Sequence, residues 1–116
     1  MEKRRHKRLD LQIPVTVRCN GKLLPATATN VSVGGMCIKT EAFDDVKKDD
    51  LVEVYFDLDE KRRDLSLRGA IARVNGSADH NIGVQFGNFH SESHKILRQF
   101  LHRELHSSLF QSLERR

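Results

Sequence analysis

Hydrophobic and polar side chains alternate along the segment that follows residue 8. The apolar positions recur at every second residue, which places them on one face of an extended strand: Leu11, Ile13, Val15, Val17 and Cys19. Pro14 lies on the polar face and lacks an amide donor, so we expect it at an edge or an irregular point of the sheet. The pair Asn20-Gly21 then favours a tight hairpin turn. This segment is therefore predicted to be a half-buried first strand.

Five further segments have a strand-like pattern and are separated by turn residues or charged loops. They are residues 26–29, 36–40, 51–58, 65–74 and 80–86. Gly69 interrupts the fifth strand, where it predicts a bulge or a tight bend. Residues 41–50 are rich in charge and are predicted to form a solvated loop. Short strands spaced by about 8–12 residues favour an all-β barrel or sandwich over βαβ units, and closure of a barrel removes exposed edges.

The hydrophobic period changes to that of a helix from Ser91 onward. Either Ser91 or Ser93 can serve as the N-cap. The apolar residues of the helix share one face, which we expect to pack on the mouth of the barrel: Ile96, Leu97, Phe100, Leu101 and Leu105. Leu109, Phe110 and Leu113 extend this stripe. Their extension fits either a frayed amphipathic tail or a surface for homo-oligomer formation.

Four of the six histidines lie in or beside this helical segment, at positions 90, 94, 102 and 106. His102 and His106 are four residues apart, a spacing that metal ligands on a helix can have. Their local order, His-Arg-Glu-Leu-His, differs from the HExxH pattern of zinc proteases. We therefore expect solvated helix histidines and no metal site.

Composition limits the class of protein. The 116 residues, with 38% hydrophobic and 31% charged side chains, suit one small domain with a modest core. No apolar run approaches the roughly 20 residues that span a bilayer, and no signal-peptide pattern follows the charged N-terminus. Cys19 and Cys37 are too few for a disulfide framework or a four-thiolate zinc site, so we expect buried free thiols. These features predict a cytoplasmic protein without a metal or a cofactor.

The net charge of +4 is concentrated at the N-terminus. Residues 1–8 carry five Lys or Arg and one Glu, whereas the remainder carries fifteen basic and fifteen acidic residues. The first segment has no hydrophobic periodicity and its like charges repel, so we expect a flexible basic arm that an anion would order. A charged arm on a neutral body favours a local anionic target over a broad nucleic-acid surface.

A turn rich in small and polar residues, Asn30-Val31-Ser32-Val33-Gly34-Gly35, separates the second and third strands. Asn30 and Ser32 are two residues apart, which places their hydrogen-bonding groups on one face. Gly34 and Gly35 tolerate positive φ, so we expect a sharp bend with backbone amides open to a ligand. By itself the segment fits either a structural hairpin or a binding turn.

The turn and the arm together resemble the signature of the PilZ domain, a bacterial family with an N-terminal RxxxR and a later [D/N]xSxxG. The first motif is Arg4-Arg5-His6-Lys7-Arg8, and the second is the turn at residues 30–35. Ile82-Gly83-Val84-Gln85-Phe86 resembles the GVxF strand that closes the family's fold. The resemblance therefore covers nearly the whole chain.

The resemblance implies a mainly all-β fold, a six-stranded antiparallel β-barrel with a C-terminal α-helix. Within a single domain, residues 1–8 would form the arm, residues 9–90 the barrel, and residues 91–116 the amphipathic helix and tail. Many PilZ domains bind cyclic di-GMP, a bacterial second messenger, and the resemblance implies the same ligand here.

The arm carries the residue type that this ligand requires. Each phosphate of cyclic di-GMP is negatively charged and each guanine presents O6 and N7 acceptors. The planar fork of arginine can grip either group with two parallel hydrogen bonds. By resemblance, Arg4 and Arg8 take these roles, while Lys3 and Arg5 add charge or stacking.

The turn would complete the site. By resemblance, Asn30 and Ser32 bond guanine or phosphate groups, and Gly34 and Gly35 keep the path to them clear. The family more often has Asp at the position of Asn30, so this contact would contribute no charge.

Arg73 stands where some relatives have Trp, and its guanidinium could stack on a base. It shares strand parity with Ile71, which belongs to the apolar face. An orientation toward the ligand therefore requires a bulge near the end of the strand.

Three classes of function compete. The resemblance implies a cyclic di-GMP receptor that orders its arm and signals to a partner protein, in motility or biofilm control. The alternatives are a degenerate PilZ adaptor that acts through protein contacts, and a small nucleic-acid-binding barrel. The neutral barrel and the few aromatic residues disfavour the latter. We expect no enzyme, because no Ser-His-Asp or Cys-His set stands near a glycine-rich loop.

Overall fold

The fold contains six strands and one long helix. The computed structural model describes residues 7–41, 43–76 and 80–114, without the side chains of residues 43 and 107–114. The elements, with a short 3-10 turn at Phe43–Asp45, are β1 (Leu9–Cys19), β2 (Lys22–Val31), β3 (Gly35–Lys39), β4 (Leu51–Phe56), β5 (Leu65–Asn75), β6 (Asn81–Phe86) and α1 (Glu92–Glu114). All six predicted strands and the predicted helix are present.

The strands close into a barrel in the order β1-β2-β3-β6-β5-β4. Every neighbouring pair is antiparallel. The prediction of a six-stranded antiparallel barrel with a C-terminal helix is confirmed.

The hairpin between β1 and β2 follows the chemistry of its turn. Asn20 has a φ of 53° and Gly21 a φ of 80°, as the two central residues of a type I′ turn require. The pairing of β1 with β4 extends from Val15 to Cys19, so Pro14 lies just beyond it. On the β4 side Pro14 is therefore at an edge, where no amide donor is needed. This agrees with the expectation of an edge or an irregular point of the sheet.

The alternating residues of the strands fill the barrel. Val15, Val17 and Cys19 are buried as the pattern predicts, and the core continues through apolar residues of every other strand. The loop at 41–50 is less solvated than expected, because Val46 is only 4% exposed. Its side chain belongs to the core cluster, which no local pattern in this charged segment indicates.

The helix packs on the barrel through Leu97 and Leu101, which are fully or almost fully buried and belong to the core cluster. Ser91 caps it, since its hydroxyl accepts a hydrogen bond from the His94 amide at 3.1 Å. Ser93, the other candidate cap, instead accepts a hydrogen bond from the Ser66 amide of β5. The side chains of Leu109, Phe110 and Leu113 are outside the described set, so homo-oligomer formation through them stays a prediction.

Candidate ligand-binding groove

An open groove of about 240 Å³ lies on the outside of the barrel, beside the turn that joins β2 to β3. The turn itself, parts of β3, β5 and β6, and the residue that precedes β1 form its walls. The residues that line it are Arg8, Ser32, Gly34, Gly35, Met36, Ala72, Arg73, Gly83, Val84 and Gln85. The groove thus combines residues from both sequence motifs with residues that neither motif contains.

The start of β1 brings the two motifs together. Leu9 pairs with Val31 and Asp10 with Asn30 across the β1–β2 ladder. Arg8 then donates a hydrogen bond from Nη1 to Asn30 Oδ1, at 3.2 Å. The last residue of the arm therefore contacts the turn directly.

Several of the predicted ligand residues precede Arg8. Lys3, Arg4 and Arg5 lie outside the described residues, so their roles stay predictions. Arg8, the last residue of the arm, is described and lines the groove.

Ser32 organises the turn from within. Its Oγ accepts hydrogen bonds from the amides of Gly34 and Gly35, both at 3.2 Å, and its own amide donates to Gly35 O at 2.8 Å. The expectation that these two glycine amides are open to a ligand is wrong, because the serine hydroxyl already accepts from them. A direct contact of Ser32 with a ligand stays a prediction; its side chain is 7% exposed.

Gly35 is needed for a different reason from the one expected. Its φ is not positive; among the described glycines, Gly21 alone has a positive φ. A Cβ atom at residue 35 would instead lie under 3.0 Å from the Val84 carbonyl oxygen of β6. The glycine allows two strands to approach each other closely below the groove.

Two neighbouring elements hold the turn from outside. The Phe86 amide of β6 donates to Gly34 O at 2.9 Å. His94 of α1 has its Nε2 2.7 Å from Val33 O. The prediction that the helix histidines are solvated is wrong for His94, which is completely buried, because the helix packs this side chain against the barrel.

A bulge in β5 decides the direction of Arg73. Ile71 pairs with Val84 and Arg73 with Gly83, so Ala72 is an extra residue in the β5–β6 ladder. Because of this extra residue, Ile71 is fully buried while Arg73 lines the groove. The bulge that an outward Arg73 requires is therefore present.

The bulge is not at Gly69, where the sequence predicted either a bulge or a tight bend. Gly69 pairs regularly with Val52 and Phe86. A Cβ there would lie under 3.0 Å from Gln85 O. The residue is a site of close strand approach, like Gly35.

Gly83 and Gln85 complete the groove and were not among the predicted site residues. A Cβ at residue 83 would meet the Arg73 side chain, 3.1 Å from its Cγ and 3.4 Å from its Nε and Cζ. The arginine therefore extends across the glycine. Gly83 and Gln85 alternate along β6 with the core residues Ile82, Val84 and Phe86, and this alternation was the available signal for both.

The groove is positively charged. Its described lining contains two arginines, Arg8 and Arg73, and no carboxylate. Such a surface favours an anion with planar acceptor groups, which guanidinium groups can bind through paired hydrogen bonds or by stacking.

Other kinds of site lack support in the part of the chain that the structure describes. No group of three or more His, Cys, Asp or Glu residues there could hold a metal ion. The described portion of α1 is not apolar enough to cross a membrane.

Comparisons with known proteins agree with this architecture. A family model described as the PilZ domain matches residues 2–103. No curated protein gives a significant sequence match. Among solved structures, the Bacillus subtilis inhibitor of motility (MotI/DgrA) superposes with a TM-score of 0.73 at 14% identity, over 91% of this chain and 53% of that one. The chain thus spans about half the length of that protein.

Two isolated PilZ domains are similar over almost their full length. The domain of CeSA from a cellulose-synthesizing bacterium has a TM-score of 0.66 at 18% identity, over 84% of this chain and 98% of that one. The domain of YcgR from Escherichia coli, solved with c-di-GMP, has a TM-score of 0.71 at 12% identity, over 93% of this chain and 98% of that one. These likenesses show the barrel fold, and the family model covers most of the sequence. The chain belongs to the PilZ domain family.

Proposed function

We propose that the protein is a cytoplasmic receptor for cyclic di-GMP. The observation that carries this proposal is the convergence of Arg8, Arg73 and the turn at residues 30–35 on one groove. The solved YcgR domain, whose structure contains c-di-GMP, has the same fold. The proposed activity is recognition, since the described lining of the groove offers hydrogen-bond donors and positive charge.

The groove matches the chemistry of the ligand. Arg73 presents its guanidinium across Gly83, where one planar face can stack on a guanine. Arg8 lies beside Asn30 and lines the groove, where a guanidinium group can contact a phosphate or a guanine edge. Binding would therefore use charge-assisted hydrogen bonds together with stacking.

The arm supplies the rest of the proposed site and the signal. Lys3, Arg4 and Arg5 are three to five residues from Arg8, close enough in the chain to reach the ligand. We assign them phosphate and guanine contacts by the family motif. Ordering of the arm over the ligand creates a surface that exists only in the bound state and that a partner protein can recognise.

The downstream process belongs to the same proposal. One structural neighbour is named as an inhibitor of motility, and another comes from a protein of a cellulose-synthesizing bacterium. We assign this chain to the control of motility or biofilm formation through a protein partner.

Titration calorimetry with cyclic di-GMP tests the proposal. We expect Arg8→Ala and Arg73→Ala each to weaken binding by at least ~10-fold, because a hydrogen bond to a charged group contributes roughly 1.5–3 kcal/mol and 1.4 kcal/mol is a factor of ten. Arg63→Ala is the matched control, because Arg63 is exposed on a loop outside the groove and forms a 3.7 Å ion pair with Asp57. The Arg63→Ala variant should bind cyclic di-GMP with the affinity of the wild type.

The titration also separates the alternatives. A wild-type protein that does not bind cyclic di-GMP would support the adaptor function instead. A protein that binds single-stranded nucleic acid, with affinity falling steeply as salt rises, would support the nucleic-acid alternative. The same titration gives the stoichiometry, and so distinguishes one ligand from an intercalated pair.

Backbone NMR order parameters test the role of the arm. We expect the values for residues 4–7 to rise on ligand addition from below about 0.6 toward about 0.85, the range of rigid backbone. Arg8, which contacts Asn30, should change less. The reason is that two bound phosphates offset both the self-repulsion of the arm and its backbone entropy of about 1–2 kcal/mol per residue. Order parameters that do not change while the ligand binds would place the switch in another element.

A further inference from the structure

His94 differs from the other histidines near the C-terminal helix. It is completely buried, whereas His90, His102 and His106 are exposed. Its ring stacks on Phe89 with the centroids 4.7 Å apart and contacts the edge of Phe86 at 6.3 Å. This packing fixes the orientation of the imidazole.

The side chain makes one short hydrogen bond, from Nε2 to Val33 O at 2.7 Å. A carbonyl oxygen can only accept, so Nε2 carries the hydrogen. Nδ1 is buried and has no partner among the described residues. The hydrogen bond that the ring makes to the described residues is therefore directed at the turn.

The peptide unit between Val33 and Gly34 is held at both ends. Its carbonyl accepts from His94, and its N–H donates to Ser32 Oγ at 3.2 Å. Ser32 and Gly34 both line the ligand groove. The orientation of this part of the groove therefore depends on a side chain that belongs to α1.

We propose that His94 is a positioning residue for cyclic di-GMP recognition, and that it couples the start of α1 to the turn at residues 30–35. This inference rests on the proposed receptor function. If His94 favours the binding-competent turn, then by thermodynamic linkage a bound ligand must in turn stabilise the contact with α1. Ligand binding would thus be sensed at the helix as well as at the arm.

Packing alone is the competing explanation of a buried histidine. Removal of a purely packed side chain would lower the melting temperature without changing the affinity of the molecules that remain folded. A positioning role predicts a loss of affinity in the folded protein, because the Val33 carbonyl loses its donor and the peptide is free to reorient.

Two substitutions separate these roles. His94→Gln keeps an N–H donor on a side chain of similar reach, and His94→Leu keeps apolar packing without the donor. His90→Leu is the matched control, an exposed histidine four residues earlier. Dissociation constants for cyclic di-GMP are measured by calorimetry well below the lowest melting temperature of the set.

We expect His94→Leu to raise the dissociation constant for cyclic di-GMP by about 5- to 100-fold. This range follows if the full free energy of a lost buried hydrogen bond is subtracted from the binding free energy. His94→Gln should stay within about threefold of the wild type, and His90→Leu should not differ from it. Equal affinities for all four proteins, with only melting temperatures changed, would overturn the inference.

Hydrogen exchange on the wild-type protein gives an independent measurement, which decides the matter if His94→Leu does not fold. We expect added cyclic di-GMP to slow exchange of the amides of residues 94–98. A wild-type protein that binds the ligand without this slowing would overturn the coupling and leave the receptor function intact. A wild-type protein that does not bind would overturn both.

Discussion

Gly35→Ala should destabilise the barrel because of a contact between strands. The new Cβ would lie under 3.0 Å from Val84 O, whereas ordinary contacts start at 3.4 Å. The strands would therefore have to separate by at least about 0.4 Å, because the contacted atom is backbone and cannot rotate away. Gly35 pairs with Gln85 and Met36 with Val84 in the ladder that must move. Overpacking of this kind costs about 1–3 kcal/mol.

Urea unfolding followed by circular dichroism measures this loss. For a small domain the free energy of unfolding falls by about 1–3 kcal/mol per molar urea, so a loss of about 2 kcal/mol lowers the midpoint by roughly 0.7–2 M. Gly87→Ala is the matched control: an added Cβ there has nothing within 4 Å and the φ is not positive. It should be neutral or stabilise by up to about 1 kcal/mol, since alanine restricts the unfolded chain.

The comparison also distinguishes the reasons for a glycine at this position. If the ligand alone required the space, Gly35→Ala would lose affinity and keep its stability. If positive φ were the cause, the substitution would resemble Gly21→Ala, where φ is 80° and nothing lies within 4 Å. A Gly35→Ala midpoint equal to that of Gly87→Ala would refute the steric argument.

Two further predictions concern the core. Leu97→Ala should lower the free energy of unfolding by about 2–5 kcal/mol, because it opens a cavity beneath α1. Leu23→Ala should change it by no more than about 0.5 kcal/mol, since Leu23 is 64% exposed. Equal urea midpoints for the two variants would contradict the placement of the helix. Burial raises the pKa of the Cys19 thiol, and the nearby Asp50 carboxylate raises it further. A raised pKa leaves less reactive thiolate at pH 8, so Cys19 should alkylate much more slowly in the folded protein than in urea, as peptide mass spectrometry would show.

The sequence alone determined the elements and the family. Alternation along residues 9–19 predicted the bounds of β1, because the side chains of a strand face opposite sides with a period of two. Asn20-Gly21 predicted a hairpin turn, since both residues tolerate positive φ. These signals are local, so they can be recognised in the sequence without knowing which strands pair with each other.

The proximity of the two motifs could be predicted from the sequence only in part. Their order along the chain indicated a shared site, and the β1–β2 register places Arg8 against Asn30 as that indication requires. The assigned contacts of Lys3, Arg4 and Arg5 rest on the motif alone.

Tertiary structure decided the details that shape the groove. Arg73 faces outward because Ala72 is an extra residue opposite β6, and the strand pattern of residues 65–74 does not show where the ladder slips. Gly35 is required by the Val84 carbonyl, and His94 is buried by its contact with Val33. Each of these features depends on a partner about 10 to 60 residues away in the chain. Hydrophobic periodicity specifies which face of an element is buried, whereas the atom that each residue meets is fixed only when the barrel closes.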